Sequence, residues 1–215
     1  MKTLIQCDFD GTITQEDVSF LILDSFGSKD WRQLFNEYKE GRISVGRFNR
    51  KAFATVKADE QTLVKFVEDK AILRAGFHEL VGYCHRRNFK FVIVSNGLDF
   101  YIQAVLRDIG ISNIEVFAAR TRFGPDGIEA RYIGPEGNEV EDSFKEAYLR
   151  LFQEKGYHII YAGNGISDIS PAGRAEHIFA TGDLLAYCKE MAINCIPFNN
   201  LNDIVKGLES LPLLL

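Results

Sequence analysis

The sequence predicts an α/β fold in which a parallel sheet has helices on both faces and a small helical-bundle cap is inserted. From residue 76 onward, β-prone runs alternate with helical patterns, which is typical of parallel sheets covered on both sides. Another β-prone run lies at residues 3–7, and the stretch after it shows only helical periodicity. We therefore expect a Rossmann-like core formed by residues 1–14 and 76–215, with residues 15–75 as the cap.

The first strand carries the strongest chemical signal, because the run 3–7 leads directly into Asp8, Phe9, Asp10 and Gly11. Alternation along a strand puts Asp8 and Asp10 on the same side. They also lie at the carboxyl end of the strand, where ligands bind in open parallel sheets. Two neighbouring carboxylates are costly unless a cation or a proton lies between them. A Ca²⁺ loop or a plain acidic turn is the alternative, although Ile13 does not continue a series of oxygen ligands.

Phosphoryl transfer is the chemistry that fits this pair of aspartates. An ionised Asp8 can attack phosphorus without a helper base. Asp10 can give a proton to the leaving oxygen and later take one from the water that cleaves the aspartyl-phosphate. Mg²⁺ would offset the combined negative charge of carboxylate and phosphate.

The stretch 15–75 contains four short amphipathic helical patterns. In the clearest of them, apolar residues recur at i, i+3, i+4 and i+7, at Trp31, Leu34, Phe35 and Tyr38. Two further patterns follow Ser44 and Asp59. Arg47 and Arg50 lie within the third pattern and are candidate polar contacts to a substrate, with solvated charge on a helix face as the alternative.

The core predicted after Gly76 is a series of alternating helices and strands with one hairpin or flap at 120–133, around Gly124-Pro125-Asp126-Gly127. The predicted helices carry residues 77–84, 98–109, 143–155, 183–192 and 201–210. The predicted strands are residues 89–94, 114–119, 158–162, 177–181 and 195–198.

Two further segments of this core carry candidate phosphate contacts. Ser95-Asn96-Gly97 follows a strand, and its hydroxyl and N–H groups would suit a phosphate oxygen, although such a tripeptide is also an ordinary turn. Lys145 lies in the first turn of a helix for which Ser143 is the predicted cap. A helix dipole disfavours a cation there by ~0.3–1 kcal/mol. Many surface lysines tolerate this cost, but a dianionic phosphate would also explain the position.

A glycine-rich acidic loop, residues 163–168, ends the strand at 158–162. Asn164 and Asp168 supply its polar side chains. An amide oxygen can ligate Mg²⁺ but brings no negative charge.

These motifs resemble the haloacid dehalogenase superfamily of aspartate-nucleophile phosphatases, and the resemblance runs from end to end of the chain. The family pattern in the acidic loop is Gly-Asp-x-x-x-Asp, where this chain has Asn164 and Asp168. The resemblance implies Mg²⁺ as cofactor and assigns three groups of residues. They are catalytic Asp8, Asp10, Ser95 and Lys145; metal-binding Asp8, Asp10, Asn164 and Asp168; and substrate-binding Thr12, Asp17, Asn96 and Gly97.

Within the superfamily, the chain resembles the phosphoserine-phosphatase-like branch. It is more similar still to the methionine-salvage phosphatases that act on 2-hydroxy-3-keto-5-methylthiopentenyl-1-phosphate. This likeness lies in Cys7–Thr14 with Asp17, in Arg74–Phe77, in Ser95–Phe100 and in Phe179–Phe198. Those enzymes can carry a cysteine-rich insert ahead of the catalytic lysine, and residues 134–144 here contain no cysteine.

Two alternatives to the methionine-salvage reaction stand at this point. One is the same hydrolysis on another small phosphate ester, phosphoserine being the first candidate. The other is a ligand-binding homologue with weakened catalysis, which only Asn164 suggests.

Composition restricts the partners and the compartment. The net charge of −5, without a block of Lys or Arg, argues against nucleic-acid binding. No apolar run approaches ~20 residues, which argues against a membrane span. The four cysteines form no Cys-x-x-Cys pair, so we expect reduced, buried thiols. We expect a cytoplasmic monomer or homodimer whose partner is a small phosphorylated metabolite. The apolar tail 211–215 is expected to dock on the body or on another subunit.

Overall fold

A computed structural model describes residues 2–211 of the chain. The strands are β1 (Lys2–Cys7), β2 (Lys90–Leu98), β3 (Glu115–Gly124), β4 (Gly127–Arg131), β5 (Tyr157–Gly163), β6 (His177–Ala180) and β7 (Ile196–Pro197). The helices before β3 are α1 (Val18–Phe26), α2 (Trp31–Lys39), α3 (Val45–Phe53), α4 (Glu60–Lys70), α5 (Phe77–Arg86) and α6 (Asp99–Asp108). Those after β4 are α7 (Phe144–Glu154), α8 (Ile169–Ala172), α9 (Gly182–Glu190) and α10 (Leu201–Ser210), with a 3₁₀ turn at Ile166–Asp168.

The seven strands form one sheet in the order β4-β3-β2-β1-β5-β6-β7, which is parallel except for the antiparallel β3–β4 pair. The strands β2 and β3, which come next in the chain, lie on one side of β1. The later strands β5, β6 and β7 lie on its other side. Right-handed crossovers in opposite directions place their helices on opposite faces of a sheet. The predicted fold class is confirmed, and the strand order reverses beside β1.

The central strand β1 is recognisable in the sequence because a parallel strand covered by helices is apolar on both faces. Leu4, Ile5 and Cys7 are completely buried. Phe9 and Ile13, just beyond the strand, are buried as well. The turn that follows β1 is therefore anchored in the core on each side of its polar residues.

Helices α1 to α4 lie between β1 and α5, and aromatic packing joins the first three. The ring of Phe20 lies 4.9 Å from Trp31 and 4.8 Å from Phe35, and Phe35 lies 5.5 Å from Phe48, measured between ring centroids. The segments that enter and leave this helical block pair with each other through an antiparallel bridge between Thr14 and Leu73.

Two local features, at the predicted hairpin and at the start of α7, differ from the sequence expectations. The predicted strand 114–119 and the first half of the predicted hairpin form one continuous strand, β3, because its first half pairs with β2 and its second half with β4. Ser143 precedes α7 as expected, but its backbone is left-handed (φ 56°) and its side chain makes no capping hydrogen bond. Lys145 nevertheless lies in the first turn of α7.

The remaining expectations concern the cysteines, membranes and the tail. Cys7, Cys84 and Cys188 are buried free thiols, as predicted, and Cys195 is a free thiol that is partly exposed. Within residues 2–211, no helix has the length and apolar character needed to cross a membrane. Leu211 packs partly against the core, and the rest of the tail lies outside the described residues.

Candidate active site

A cavity of about 360 Å³ lies over the carboxyl ends of β1, β2 and β5. Its floor comes from the predicted catalytic segments, including Asp8, Asp10, Ser95, Asn96, Gly97, Lys145 and Asn164. Its roof comes from α1, α2 and α3, through Phe20, Phe35, Tyr38, Val45, Phe48 and Asn49. Because the carboxyl ends of parallel strands meet at one edge of the sheet, segments that are distant in the sequence converge here.

Lys145 joins two buried carboxylates at the centre of this floor. Its Nζ lies 2.8 Å from Asp8 Oδ1 and 2.7 Å from Asp168 Oδ1, and only 3 % of its side chain is exposed. Gln6, which is fully buried on β1, donates from Nε2 to the Lys145 carbonyl at 2.9 Å. The first turn of α7 is thereby held against the strand that carries Asp8.

Asp168 has hydrogen-bond donors on both carboxylate oxygens. Besides Lys145, its Oδ1 accepts the hydroxyl of Tyr161 at 2.6 Å. Its Oδ2 accepts the backbone N–H groups of Asn164 and Gly165 at 3.0 and 2.8 Å. Asp168 therefore supports the lysine and shapes the loop that carries Asn164.

For each member of the Asp8–Lys145 pair, burial shifts the pKa in one direction and the opposite charge of the partner shifts it in the other. Burial, with the negative charge of Asp168 added, raises the pKa of Asp8 to about 7, although Lys145 opposes the rise. Burial alone would lower the pKa of Lys145, but the carboxylates of Asp168 and Asp8 outweigh it and raise that pKa. The lysine thus stays charged beside the nucleophile candidate.

Asp10 is held through both of its side-chain oxygens. Oδ1 accepts the N–H of Val18 at 2.9 Å, and Oδ2 accepts the hydroxyl of Tyr101 at 2.5 Å. Burial, followed by the charge of Asp17, raises the pKa of Asp10 to about 8. A carboxyl group with such a pKa can carry a proton near neutral pH, as a general acid must.

The predicted substrate-binding residues fall into two groups. Asp17 lines the cavity and caps α1 by accepting the N–H of Phe20, and burial raises the pKa of Asp17 to about 7. Asn96 also lines the cavity, and its buried Oδ1 has no hydrogen-bond partner among the described residues. Thr12, by contrast, is fully buried and donates to Asn164 Oδ1 at 3.0 Å.

Ser95 and Gly97 lie within β2 rather than after the strand, in the stretch between Val94 and Leu98 where the register against β3 shifts. Ser95 is buried, and its Oγ accepts the N–H of Gly97 at 2.9 Å. A Cβ at position 97 would overlap the Tyr101 hydroxyl and Asp10 Oδ2. Glycine is thus required here to make room for the contact between Asp10 and Tyr101.

The oxygen atoms around Asp8 fit a Mg²⁺ ion. Asp8 and Asn164 both line the cavity and offer oxygen ligands of the kind that Mg²⁺ prefers. One oxygen of Asp8 faces Lys145, and the Asn164 amide oxygen accepts one hydrogen bond, from Thr12, which leaves it a second lone pair. Asp168 fits less well as a direct ligand, because four donors occupy its oxygens. No group of three His, Cys, Asp or Glu side chains suited to a metal occurs in the described part of the chain.

Sequence reasoning missed several polar residues around the site. Tyr101 occupies an apolar position of the α6 pattern and therefore resembles a core residue. Asn49 on α3 donates to the Asn96 carbonyl at 2.7 Å and to the hydroxyl of Tyr132 at 2.6 Å. Arg74 donates to the carbonyls of Gly11, Thr12 and Asn199 at 2.8, 3.0 and 2.8 Å. Only the contacts across the fold reveal these roles.

Comparison with known proteins gives concordant matches in sequence and in structure. A family model described as haloacid dehalogenase-like hydrolase matches residues 5–172. Proteins named 2-hydroxy-3-keto-5-methylthiopentenyl-1-phosphate phosphatase are similar over nearly their whole length. The one from Bacillus mycoides (strain KBAB4) is 25 % identical, with 98 % of each chain covered. The one from Geobacillus kaustophilus (strain HTA426) is 29 % identical, with 97 % of this chain and 96 % of the relative covered.

Two solved structures share the fold. A substrate-bound phosphoserine phosphatase complex superposes with a TM-score of 0.72 at 20 % identity, covering 96 % of this chain and 98 % of the other. A phospho-aspartyl intermediate analogue of phosphoserine phosphatase gives a TM-score of 0.70 at 21 % identity with the same coverage. At this low sequence identity, the likeness shows a shared fold and carries no conclusion about the substrate.

Proposed function

We propose that this chain, which belongs to the haloacid dehalogenase-like hydrolase family, hydrolyses a small phosphomonoester through a phosphoryl-Asp8 intermediate, with Mg²⁺ as its cofactor. The match over residues 5–172 confirms the resemblance found in the sequence. The observation that carries the mechanism is the buried arrangement of Asp8, Lys145 and Asp10 at the floor of one cavity.

In the proposed reaction, an oxygen of Asp8 attacks phosphorus while Lys145 steadies the nucleophile and the phosphate. The ester P–O bond breaks, and the leaving oxygen takes a proton from Asp10. Water then attacks the phosphoryl group and gives a proton to Asp10, which frees inorganic phosphate and the Asp8 carboxylate. Ser95 and the start of the next helix would bind phosphate oxygens.

Asp8, the Asp10 carbonyl and Asn164 would hold the metal, with Asp168 supporting them. When bound, Mg²⁺ supplies positive charge that offsets the charge of the nucleophile and the phosphate.

The cavity walls favour an uncharged, partly apolar leaving group over phosphoserine. Phe20, Phe35, Tyr38 and Phe48 present aromatic surface on the roof. Among the described residues that line the cavity, the cations are Lys145 and Arg74. Lys145 is engaged by two carboxylates, and Arg74 by three carbonyls. In the proposed reaction Lys145 also faces the phosphate, so neither cation is free for the carboxylate of phosphoserine, and burying an unpaired charge is costly.

This chemistry suits 2-hydroxy-3-keto-5-methylthiopentenyl-1-phosphate, the compound in the names of the relatives. It carries an uncharged thioether tail.

The two arginines considered as substrate contacts, Arg47 and Arg50, do not line the cavity. Arg50 is paired with Glu139 and Glu141, and Arg47 is exposed.

We further propose that residues 15–75 act as a cap on a core of residues 1–14 and 76–215. The roof formed by α1, α2 and α3 and the paired connecting segments at Thr14 and Leu73 support this division. Such a cap would exclude water and select the leaving group.

We also propose a cytoplasmic enzyme, monomeric or homodimeric, and the four free cysteines support a reducing compartment.

A three-substrate comparison tests this function. We expect purified protein with Mg²⁺ to release phosphate from 2-hydroxy-3-keto-5-methylthiopentenyl-1-phosphate and from 4-nitrophenyl phosphate. We expect kcat/KM for phosphoserine to be about 10²-fold lower than for the thioether substrate, because its carboxylate finds no free cation among the described residues that line the cavity. A preference for phosphoserine would support the other branch, and hydrolysis of none of the three would support a ligand-binding homologue.

Changing Asn164 to Asp tests the metal assignment. We expect Asn164→Asp to lower the Mg²⁺ concentration that gives half-maximal activity, because a carboxylate binds the free ion better than an amide does. In the wild type, bound phosphate supplies part of the missing charge, so metal and substrate should bind with positive coupling. Titrating Mg²⁺ at several substrate concentrations measures both effects. An unchanged requirement in Asn164→Asp would mean that position 164 does not touch the metal.

A further inference from the structure

Asp10 is held by a small buried network that the family motifs do not include. Tyr101, from α6, donates to Asp10 Oδ2 at 2.5 Å, and its own oxygen lies 2.7 Å from Ser19 Oγ on α1. Val18, the first residue of α1, donates its N–H to Asp10 Oδ1. The Ser19 hydroxyl is therefore linked through the Tyr101 hydroxyl to the carboxyl group that the mechanism uses as acid and base.

We propose that Tyr101, assisted by Ser19, is a positioning residue that orients the Asp10 carboxyl for both proton transfers. This inference rests on the proposed phosphatase function. Bonds to both Asp10 oxygens come from two different helices, so the carboxyl group cannot rotate without losing one of them. A hydroxyl both donates and accepts. Tyr101 can therefore hydrogen-bond to Asp10 whether or not Asp10 carries the transferred proton. Ser19 can supply the second hydrogen bond of the Tyr101 hydroxyl.

Packing alone does not account for this tyrosine. Its ring is fully buried and lies against Phe9 and Phe100, contacts that a phenylalanine would also make. The hydroxyl, however, is directed at Asp10 and Ser19. Position 97 has to be glycine for that hydroxyl to fit. A buried hydroxyl costs stability unless it is hydrogen-bonded, and that of Tyr101 is bonded only to Asp10 and Ser19 among the described residues. The hydroxyl therefore needs an explanation other than packing.

The isosteric variant Tyr101→Phe tests the proposal, because it removes one oxygen and keeps the ring. The test compares the phosphorylation of Asp8 by two substrates in rapid-mixing experiments. One is a simple alkyl phosphate, whose leaving oxygen needs a proton. The other is 4-nitrophenyl phosphate, whose acidic leaving group departs without one.

We expect Tyr101→Phe to slow phosphorylation by the alkyl phosphate about 10- to 100-fold, the usual cost of losing a residue that orients a reactive group. Release of nitrophenolate in the first turnover should stay within about twofold of wild type. Hydrolysis of phosphoryl-Asp8 should be slower with both substrates, because Asp10 must then accept a proton. The variant should therefore show a burst of nitrophenolate followed by slow turnover.

Matched variants separate positioning from general damage. Tyr148→Phe also removes the hydroxyl of a mostly buried tyrosine, one that donates to the Ile133 carbonyl at 3.0 Å away from the site. It should behave as wild type. Ser19→Ala should show the Tyr101→Phe pattern more weakly, and the double variant should be no slower than Tyr101→Phe alone, because the two residues act through one contact. If Tyr101→Phe fails to fold, Ser19→Ala carries the same burst test.

Equal losses on both substrates in the first turnover, or no loss on either, would overturn the positioning role while leaving the phosphatase function intact. A wild-type protein that forms no phosphoryl-Asp8 would instead overturn the proposed function, and this inference with it.

Discussion

Asp8→Asn should lower kcat by about 10⁴-fold or more, the usual scale for the loss of a covalent nucleophile, while the protein stays folded. An amide is a poor nucleophile, but it has nearly the shape of the carboxylate and can still accept a hydrogen bond from Lys145. Steady-state turnover measures the loss of kcat, and circular dichroism measures the retained fold. Acid quenching should trap no phosphate on the variant, because it lacks the nucleophile.

Asp108→Asn is the matched control for this experiment, because Asp108 is an exposed aspartate at the end of α6. It should keep full activity and trap as much phosphate as wild type. Near-normal turnover in Asp8→Asn would rule out the proposed nucleophile, whereas loss of circular dichroism would show that the variant fails through unfolding.

Lys145→Met should lower the free energy of unfolding by about 3–5 kcal/mol, because it leaves buried carboxylates at Asp8 and Asp168 without their counter-charge. Turnover should be lost in the same variant. The measurement is denaturant unfolding without added Mg²⁺. Lys155→Met, which changes an exposed lysine just beyond α7, should leave both stability and turnover unchanged.

The stability loss in Lys145→Met should depend on pH in a defined direction. Burial already raises the pKa of Asp8 to about 7, and Lys145 opposes the rise, so removing the lysine raises this pKa further. The folded variant then binds a proton more tightly than the unfolded chain does, and its stability falls as pH rises. Unfolding at pH 5 and pH 8 should show the larger loss at pH 8. A loss that is the same at both pH values would contradict the buried ion pair as its cause.

The fold and the floor of the site were accessible from the sequence for one physical reason. In a parallel sheet each strand ends at the same edge, so polar residues that follow apolar runs can be placed together without knowing any side-chain contact. The residues Asp8, Asp10, Ser95, Lys145 and Asn164 all line the cavity at that edge. Asp8 and Asp10 follow β1, Ser95 lies near the end of β2, Asn164 follows β5, and Lys145 lies in the first turn of α7. Their catalytic and metal-binding roles remain proposals for the experiments above.

Contacts between distant elements could not be predicted in this way. Tyr101 fits the apolar stripe of α6, and only the fold shows that its hydroxyl reaches Asp10. Asp168 and Asn164 are both metal-ligand candidates in the sequence, and only the fold shows that four donors surround the carboxylate of Asp168. The backbone of Ser143 is left-handed, which no residue pattern indicates.

The central position of β1 has a consequence for how the protein folds during synthesis. This strand is made before its neighbours, yet Cys7 is paired in register with Ile93 on β2 and Ala162 on β5. Its partners are therefore far along the chain, and such non-local pairing slows folding. While the ribosome is still making α7, the apolar strand β1 has one open edge and the nucleophile loop lacks the segment that carries Asn164 and Asp168. A nascent chain that stops before β5 is thus exposed to aggregation and has no assembled catalytic centre.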